Sequence, residues 1–338
     1  MSAAPGVEID EPASQGPDTA SAPDGAGVAD GIRGPDVAQH QEVLCGLIGE
    51  GIQASRTPWM HEQEGRAQGL RYRYRLIDTA QLGAGVDDLP RLLAQAEAEG
   101  FRGLNITYPF KQRVVPLLHE LSDNARALDA VNTVVLRDGC RIGHNTDCSG
   151  WAAAFARGLP DVTRDEVVLL GAGGAGSAVA HAALLQQVGR LHVCDTVAIR
   201  AQRLVDDLQA RFGADRAVVC DDLQHAMKQA DGLIHCTPTG MAKQPGLPLP
   251  AEWIEPRHWV SEIIYFPLQT ELLRVCRRKG CRTLDGSGMA VFQAVDAFRF
   301  FTGLEPDVGR MLASFGRYPG QHAAAGHAMA KDTNQGDR

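Results

Sequence analysis

The chain has 338 residues, 44% hydrophobic and 22% charged, a globular composition long enough for one large or two ordinary domains. Thirty-three basic against 41 acidic side chains give a net charge of −8, which argues against nucleic acid or an anionic membrane as a partner. No apolar run reaches the roughly 18 residues of a membrane span, and the chain start lacks the basic cluster and apolar core of a secretory signal.

Residues 1–40 are rich in Ala, Gly, Pro and Asp, hold no aromatic residue and carry most of the acidic excess. Such a segment buries too little apolar surface to offset its ordering entropy. Residues 1–42 are therefore expected to be a disordered tail, and 319–338 a second one. The folded part is expected to open at 43–49, a short apolar run ending in glycine that reads as a buried strand. Residues 71–78 read as a second strand, 89–99 as a helix stopped by Gly100, 103–107 as a third strand and 131–136 as a fourth. Alternating strand and helix signals point to an α/β layer on a mostly parallel sheet.

From Val167 a second alternation begins, with strands at 167–170, 191–194, 217–220, 233–236 and 259–264 and helices at 177–187 and 198–211. This is the rhythm of a doubly wound, nucleotide-binding sheet. A long helix over 289–301 is placed to return to the first layer; Phe292, Phe298, Phe300 and Phe301 mostly follow helical spacing on it and read as core. Eight cysteines are scattered through apolar segments without a C-x-x-C pair, which reads as reduced thiols in a cytoplasmic protein. The histidines show no metal-ligand spacing, so no metal site is expected.

Gly171-Ala172-Gly173-Gly174-Ala175-Gly176 follows an apolar strand and opens a helix, as a dinucleotide fingerprint requires. Its glycines permit a tight turn and close approach to a pyrophosphate, and the helix N-terminus offers N–H groups and a positive dipole end. The next strand ends in Asp195, 24 residues after Gly171. A carboxylate there accepts hydrogen bonds from the ribose of NAD and repels the 2′-phosphate of NADP. The alternative role for Asp195 is to cap the following helix. Polar clusters at strand ends, at 105–111, 131–133 and 143–147, resemble a polyol pocket facing a nicotinamide.

These stretches identify a resemblance. S-R-T-P at 55–58, N-I-T-Y-P-F-K at 105–111, A-V-N-T at 130–133, G-H-N-T-D at 143–147, G-A-G-G-A-G at 171–176 and Q-A-V-D-A-F at 293–298 match the shikimate/quinate dehydrogenase family in order over about 43–318. The chain is most similar to the NAD-using quinate/shikimate branch. The NADP-dependent biosynthetic members commonly carry Asn-Arg-Thr after the second cofactor strand, where this chain reads Asp195-Thr196-Val197. They also carry Ser-x-Ser where this chain has Ser55-Arg56-Thr57.

The resemblance implies that Ser55 and Thr57 hold a substrate carboxylate and that Thr107, Asn132 and Gln293 bind ring hydroxyls. Asn105 and Tyr265 complete the pocket, and Lys111 and Asp147 form the catalytic pair. It extends the cofactor-binding set of Gly171, Gly173, Gly174, Gly176 and Asp195 to Ala175, Thr237 and Gly288. His144, beside Asn145, is read as pocket wall or supporting residue. The expected architecture is an α/β fold of two domains: a substrate domain at 43–147 completed by a helix at 289–318, and a Rossmann-type NAD domain at 148–288. The expected reaction is reversible oxidation of the C3 hydroxyl of quinate or shikimate with NAD, by a cytoplasmic enzyme that is compatible with homo-oligomerisation. The alternatives are an NADP-dependent biosynthetic shikimate dehydrogenase and, from another class, a non-catalytic sensor of NAD and a polyol acid.

Overall fold

A computed structural model describes residues 42–318. The expected tails lie outside the described residues, apart from Glu42, which opens the first strand. Two six-stranded sheets carry the α/β fold.

The first sheet holds β1 (Glu42–Gly49), β2 (Arg71–Asp78), β3 (Gly103–Ile106), β4 (Glu120–Leu121), β5 (Thr133–Arg137) and β6 (Cys140–His144), in the order β2-β1-β3-β5-β6-β4. Its helices are α1 (Thr57–Ala67), α2 (Thr79–Leu82), α3 (Leu89–Ala98) and α4 (Asp123–Leu128). The central strand β1 is nearly continuously apolar, whereas the edge strand β2 alternates, with Tyr72 and Tyr74 inward and Arg71, Arg73 and Arg75 outward. In α3, Leu89, Leu92, Leu93 and Ala96 form one buried stripe at helical spacing.

The sequence reading missed β6 and began its partner two residues early, at Val131. The signal was present in Asp138-Gly139, both at positive φ, which turn β5 into an antiparallel hairpin with β6. Residues 131 and 132 precede the strand: Val131 N–H donates to the Lys111 carbonyl rather than to a neighbouring strand, and Asn132 N–H donates to the His144 carbonyl at the end of β6. Thr107 likewise falls one residue beyond β3.

The second sheet is wholly parallel: β7 (Glu166–Leu170), β8 (Arg190–Cys194), β9 (Ala217–Val219), β10 (Gly232–His235), β11 (Trp259–Glu262) and β12 (Arg282–Leu284), in the order β12-β11-β10-β7-β8-β9. The remaining helices are α5 (Thr146–Gly158), α6 (Gly174–Leu185), α7 (Ala198–Phe212), α8 (Leu223–Gln229), α9 (Glu271–Lys279), α10 (Ser287–Thr302) and α11 (Val308–Gly316). Strand order reverses between β7 and β10, so a crevice opens at their carboxyl ends. Among the described residues no helix is long and apolar enough to cross a membrane.

The helix expected over 289–318 is two helices. Gly303 at φ 74° ends α10, and Asp307 caps α11 by accepting from Arg310 N–H at 2.8 Å. Phe298 and Phe301 of α10 pack with Tyr72, Tyr74 and Val135 on the first sheet. The opposite flank of α10 lies along α5, which is tied to β11 by the Trp151 indole donating to Ser261 Oγ at 3.0 Å. The two helices meet at backbone contact: a Cβ on Gly150 would stand 2.7 Å from the Gln293 nitrogen and 3.0 Å from the Met289 carbonyl oxygen. We expect Gly150→Val to lower stability by about 1–3 kcal/mol through overpacking, seen as a lower urea midpoint. An unchanged midpoint would mean that the helices separate without cost.

Candidate active site

Asp147 occupies the first turn of α5, where the helix dipole favours a carboxylate. Two side chains set where that turn begins. Asn145 caps it, accepting from Cys148 N–H at 3.2 Å, and its amide donates to the Ala130 carbonyl at 3.0 Å. Asn132 accepts from Thr146 N–H at 2.7 Å and donates to Thr146 Oγ1 at 2.9 Å. Lys111 reaches in from the loop after β3, and its Nζ donates to Asp147 Oδ2 at 2.5 Å, with 27% and 12% of the two side chains exposed. The two residues expected to form a pair are in contact in a shallow, solvent-reachable position.

Asn105 and Asn132 are both buried. The amide of Asn105 donates to Thr133 Oγ1 at 2.9 Å and to the Asn132 carbonyl at 3.3 Å, while its oxygen accepts from the Tyr74 hydroxyl at 2.7 Å. Its two amide hydrogens are thus committed inside the protein. Thr107 is half-buried; its N–H donates to the Ile48 carbonyl, and its methyl lies beside Gly49. Ser55 and Thr57 sit together at the start of α1, with Thr57 N–H donating to Ser55 Oγ at 3.3 Å. Arg56 between them turns inward, stacks over the Phe315 ring at 4.7 Å and donates to the Phe315 carbonyl. Burial lowers its pKa, against the pull of the Tyr265 and Tyr318 hydroxyls.

Tyr265 links these groups. Its ring lies 6.0 Å from that of Phe315, 42% of its surface is open, and its hydroxyl feels the charges of Lys111, Arg56 and Asp147. Desolvation raises the Tyr265 pKa, with Lys111 and Arg56 opposing, so the phenol stays protonated at neutral pH. Gln293, half-buried on α10 opposite Gly150, donates to the Ala290 carbonyl at 3.0 Å. His144 stacks on Phe300 with ring centroids 4.0 Å apart.

The glycine loop lies at the crevice between β7 and β10. Gly171 has φ 100° and its N–H donates to the Cys194 carbonyl; a Cβ there would stand 2.8 Å from the Cys236 oxygen. A Cβ on Gly176 would overlap the Gly171 carbonyl. Gly173 and Gly174, at the N-terminus of α6, face open space. This helix begins three residues earlier than expected because the loop glycines themselves form its first turn. Gly288, at the start of α10, faces Ala154 of α5 at 2.9 Å from a notional Cβ. Asp195 accepts from Ala172 N–H at 2.7 Å and from Val197 N–H at 2.8 Å, so one carboxylate ties the glycine loop to the turn before α7.

Thr237 stands on a buried network that sequence reasoning passed over. Its Oγ1 lies 2.6 Å from His235 Nε2, and His235 Nδ1 lies 3.0 Å from both oxygens of Glu262. Glu262 also accepts from Ile264 N–H at 3.0 Å and Thr270 Oγ1 at 3.1 Å. The available signal was a His and a Glu, each ending an otherwise apolar strand; β10 and β11 place them side by side. Among the described residues no cluster of three or more His, Cys, Asp or Glu could hold a metal ion.

A family model described as the shikimate dehydrogenase substrate binding domain matches residues 47–134. The shikimate dehydrogenase (NADP(+)) of Streptomyces avermitilis is 55% identical over 282 residues, covering 83% of this chain and 97% of that protein. The quinate/shikimate dehydrogenase (NAD(+)) of Corynebacterium efficiens is 49% identical over 279 residues, covering 82% and 98%. Among solved structures, quinate dehydrogenase from Corynebacterium glutamicum in complex with NAD superposes with a TM-score of 0.78 at 47% identity, covering 82% of this chain and all of that one (100%).

The buried contacts of Asn132 make a prediction independent of catalysis. Asn132→Ala strands the Thr146 N–H at the start of α5, leaving the Thr146 hydroxyl only Thr133, and should cost roughly 1–3 kcal/mol. Chemical denaturation measures it; a wild-type midpoint would show that water replaces Asn132 without loss.

Proposed function

This chain belongs to the shikimate dehydrogenase family of pyridine-nucleotide oxidoreductases, and from that premise we propose that it oxidises the C3 hydroxyl of quinate or shikimate reversibly with NAD. The observation that carries the reading is the Lys111–Asp147 hydrogen bond, with the Tyr265 hydroxyl close enough to feel both charges. We further propose that the first sheet with α10 and α11 forms the substrate domain and the second sheet the cofactor domain, working in the cytoplasm.

Oxidising a secondary alcohol removes a hydride from carbon and a proton from oxygen. The nicotinamide, when bound, supplies the hydride acceptor. The proton falls to Lys111 and Asp147, which act as one hydrogen-bonded unit rather than as a base and a separate orienting group. Ser55 and Thr57 present hydroxyls to the substrate carboxylate. Thr107, Gln293 and the second amide hydrogen of Asn132 meet ring hydroxyls, and Tyr265 closes the rim. Asn105, with its amide hydrogens committed to Thr133 and Asn132, serves as a positioning residue behind Asn132.

The glycine loop fits a dinucleotide: Gly171 and Gly176 have no room for a side chain, while Gly173 and Gly174 leave the N-terminus of α6 open to a pyrophosphate. Gly171, Gly173, Gly174, Ala175, Gly176, Asp195, Thr237 and Gly288 would hold the cofactor. Asp195 spends one lone pair of each oxygen on Ala172 and Val197, which leaves lone pairs for ribose hydroxyls and a negative charge against a 2′-phosphate. The second reading, an NADP-dependent shikimate dehydrogenase, is favoured by the 55% identity to a relative of that name. The sensor reading gives a proton-transfer pair no purpose.

Following NAD(P)H absorbance with each cofactor against quinate and shikimate tests the proposal; turnover of neither acid would overturn it. Lys111→Ala should lower kcat by roughly 10²–10⁴-fold with a smaller change in KM, and a variant near wild-type kcat would exclude Lys111 from proton transfer. kcat/KM should favour NAD over NADP by at least about tenfold, the size of one hydrogen bond to a charged group, and Asp195→Ala should narrow that gap. Equal rates with the two cofactors in the wild type would show that Asp195 does not meet the ribose.

A further inference from the structure

At the carboxyl ends of β8 and β9 two cysteines stand side by side. The parallel register pairs Leu191 with Ala217, His192 with Val218 and Val193 with Val219. Cys220 N–H continues the ladder by donating to the Val193 carbonyl at 2.9 Å. Cys194 and Cys220 are therefore the next neighbours across the two strands. Adjacent strands run about 4.8 Å apart, inside the window of about 4.4–6.8 Å between Cα atoms that a disulfide spans. Their side chains are close enough to act directly on one another, and both residues are half-buried.

The environment separates this pair from the other cysteines. The neighbouring Cys220 thiol brings the Cys194 thiol down to about 7, against the opposing effects of burial and of Asp195. Cys194 itself, burial and the charges of Asp221 and Asp222 hold the Cys220 proton. Cys276 and Cys281 also influence each other, but both are buried and desolvation pushes both thiols up, Cys276 to about 12. The thiolate is the reactive form, so of these two pairs only the first joins a thiol lowered toward neutral pH to a neighbouring resolving thiol, with both residues partly exposed.

Its position gives the pair a consequence. The Cys194 carbonyl accepts from Gly171 N–H at 2.8 Å, and the following residue, Asp195, holds Ala172 N–H at 2.7 Å. Both ties of the glycine loop to β8 run through the residues that a bond at Cys194 would move. We propose that Cys194 and Cys220 are an oxidisable dithiol, closed to a disulfide by a hydroperoxide, and that closure loosens the cofactor loop. The second half rests on the cofactor reading above.

The chemistry balances as follows. The Cys194 thiolate attacks the O–O bond, which breaks; the sulfur becomes a sulfenic acid and the peroxide's other oxygen leaves as an alcohol or water after taking a proton. The Cys220 sulfur then attacks the Cys194 sulfur, the S–S bond forms, the S–O bond breaks, and hydroxide departs as water with the Cys220 proton. Two thiols give up two electrons and the peroxide accepts them. The sulfurs are drawn from non-bonded contact to about 2.05 Å, which moves the end of β8.

The full-length reduced protein, treated with hydrogen peroxide and digested with trypsin, tests this. Cleavage after Arg190, Arg200, Arg216 and Lys228 puts each cysteine in its own peptide, 191–200 and 217–228. The expected result is a linked pair of these peptides, released by dithiothreitol, and an NAD affinity, titrated by calorimetry, that falls about tenfold on oxidation, the loss of one hydrogen bond to a charged group. Cys220→Ser should show neither change while keeping the activity of the untreated protein. Absence of the linked peptide overturns the dithiol, and a linked peptide with unchanged NAD affinity overturns its coupling to the loop. Reduced protein that does not bind NAD contradicts the cofactor reading instead, and the peptide map still decides the dithiol.

Discussion

One hydrogen bond, 2.5 Å from Lys111 Nζ to Asp147 Oδ2, sets the demands that the first half of the chain meets. It joins a loop after a parallel strand to the first turn of a helix 36 residues later. The turn must therefore start at one position and no other. Asn145 and Asn132 fix that start, and Asn132 is in turn held between Thr133, Thr146 and the amide of Asn105. Tyr74 on the edge strand closes the chain of contacts by donating to Asn105. A buried polar network of this kind is stabilising only when its members are paired, because each unpaired group carries its full desolvation cost. The same pairing that stabilises the sheet thus leaves a charged pair at its end.

The second half solves a different problem, bringing backbone close to backbone. Gly171 and Gly176 bring the loop against the Cys236 carbonyl and close it on itself, and neither contact tolerates a Cβ. That leaves Gly173, Gly174 and the free end of α6 as the surface of the crevice. Polar side chains at strand ends then brace the rim: Asp195 from β8, and Glu262 through His235 to Thr237 from β11 and β10. The helices α5 and α10 span both halves, one through Trp151 and Ser261, the other through Phe298 and Phe301 against the first sheet. Glycine at 150 lets them cross at backbone contact, which sets Gln293 opposite the helix that carries Asp147.

The identity of these residues has an energetic logic. A family that handles a small, hydroxyl-rich acid needs donors and acceptors that are not already satisfied. Tyr265, Thr107 and Gln293 are left half-buried or open, whereas Asn105 and Tyr74 are buried. The protein thus separates residues that present hydrogen bonds from those that hold them in place.

Local signals in the sequence determined the alternation of strands and helices, the parallel doubly wound half, the glycine loop and the set of polar residues at strand ends, because each depends on neighbours within a few positions. Apolar runs bounded by glycine, the 3.6-residue stripe of α3 and the strand-loop-helix order around Gly171 need no knowledge of distant contacts. Even the missed hairpin was written locally, in Asp138-Gly139. Tertiary structure alone decided the rest. Asn105 and Asn132 have the same side chain, yet only packing against Tyr74, Thr133 and Thr146 separates a buttress from a residue with an amide hydrogen to spare. Arg56, between two hydroxyl residues, turns away from them because the Phe315 ring and carbonyl lie inward. His235 and Glu262 become partners, and Cys194 and Cys220 neighbours, only when separate strands come into register. Side-chain hydrogen bonds across a sheet depend on which strand lies beside which, and that is set by the burial of the whole core rather than by any stretch of chain.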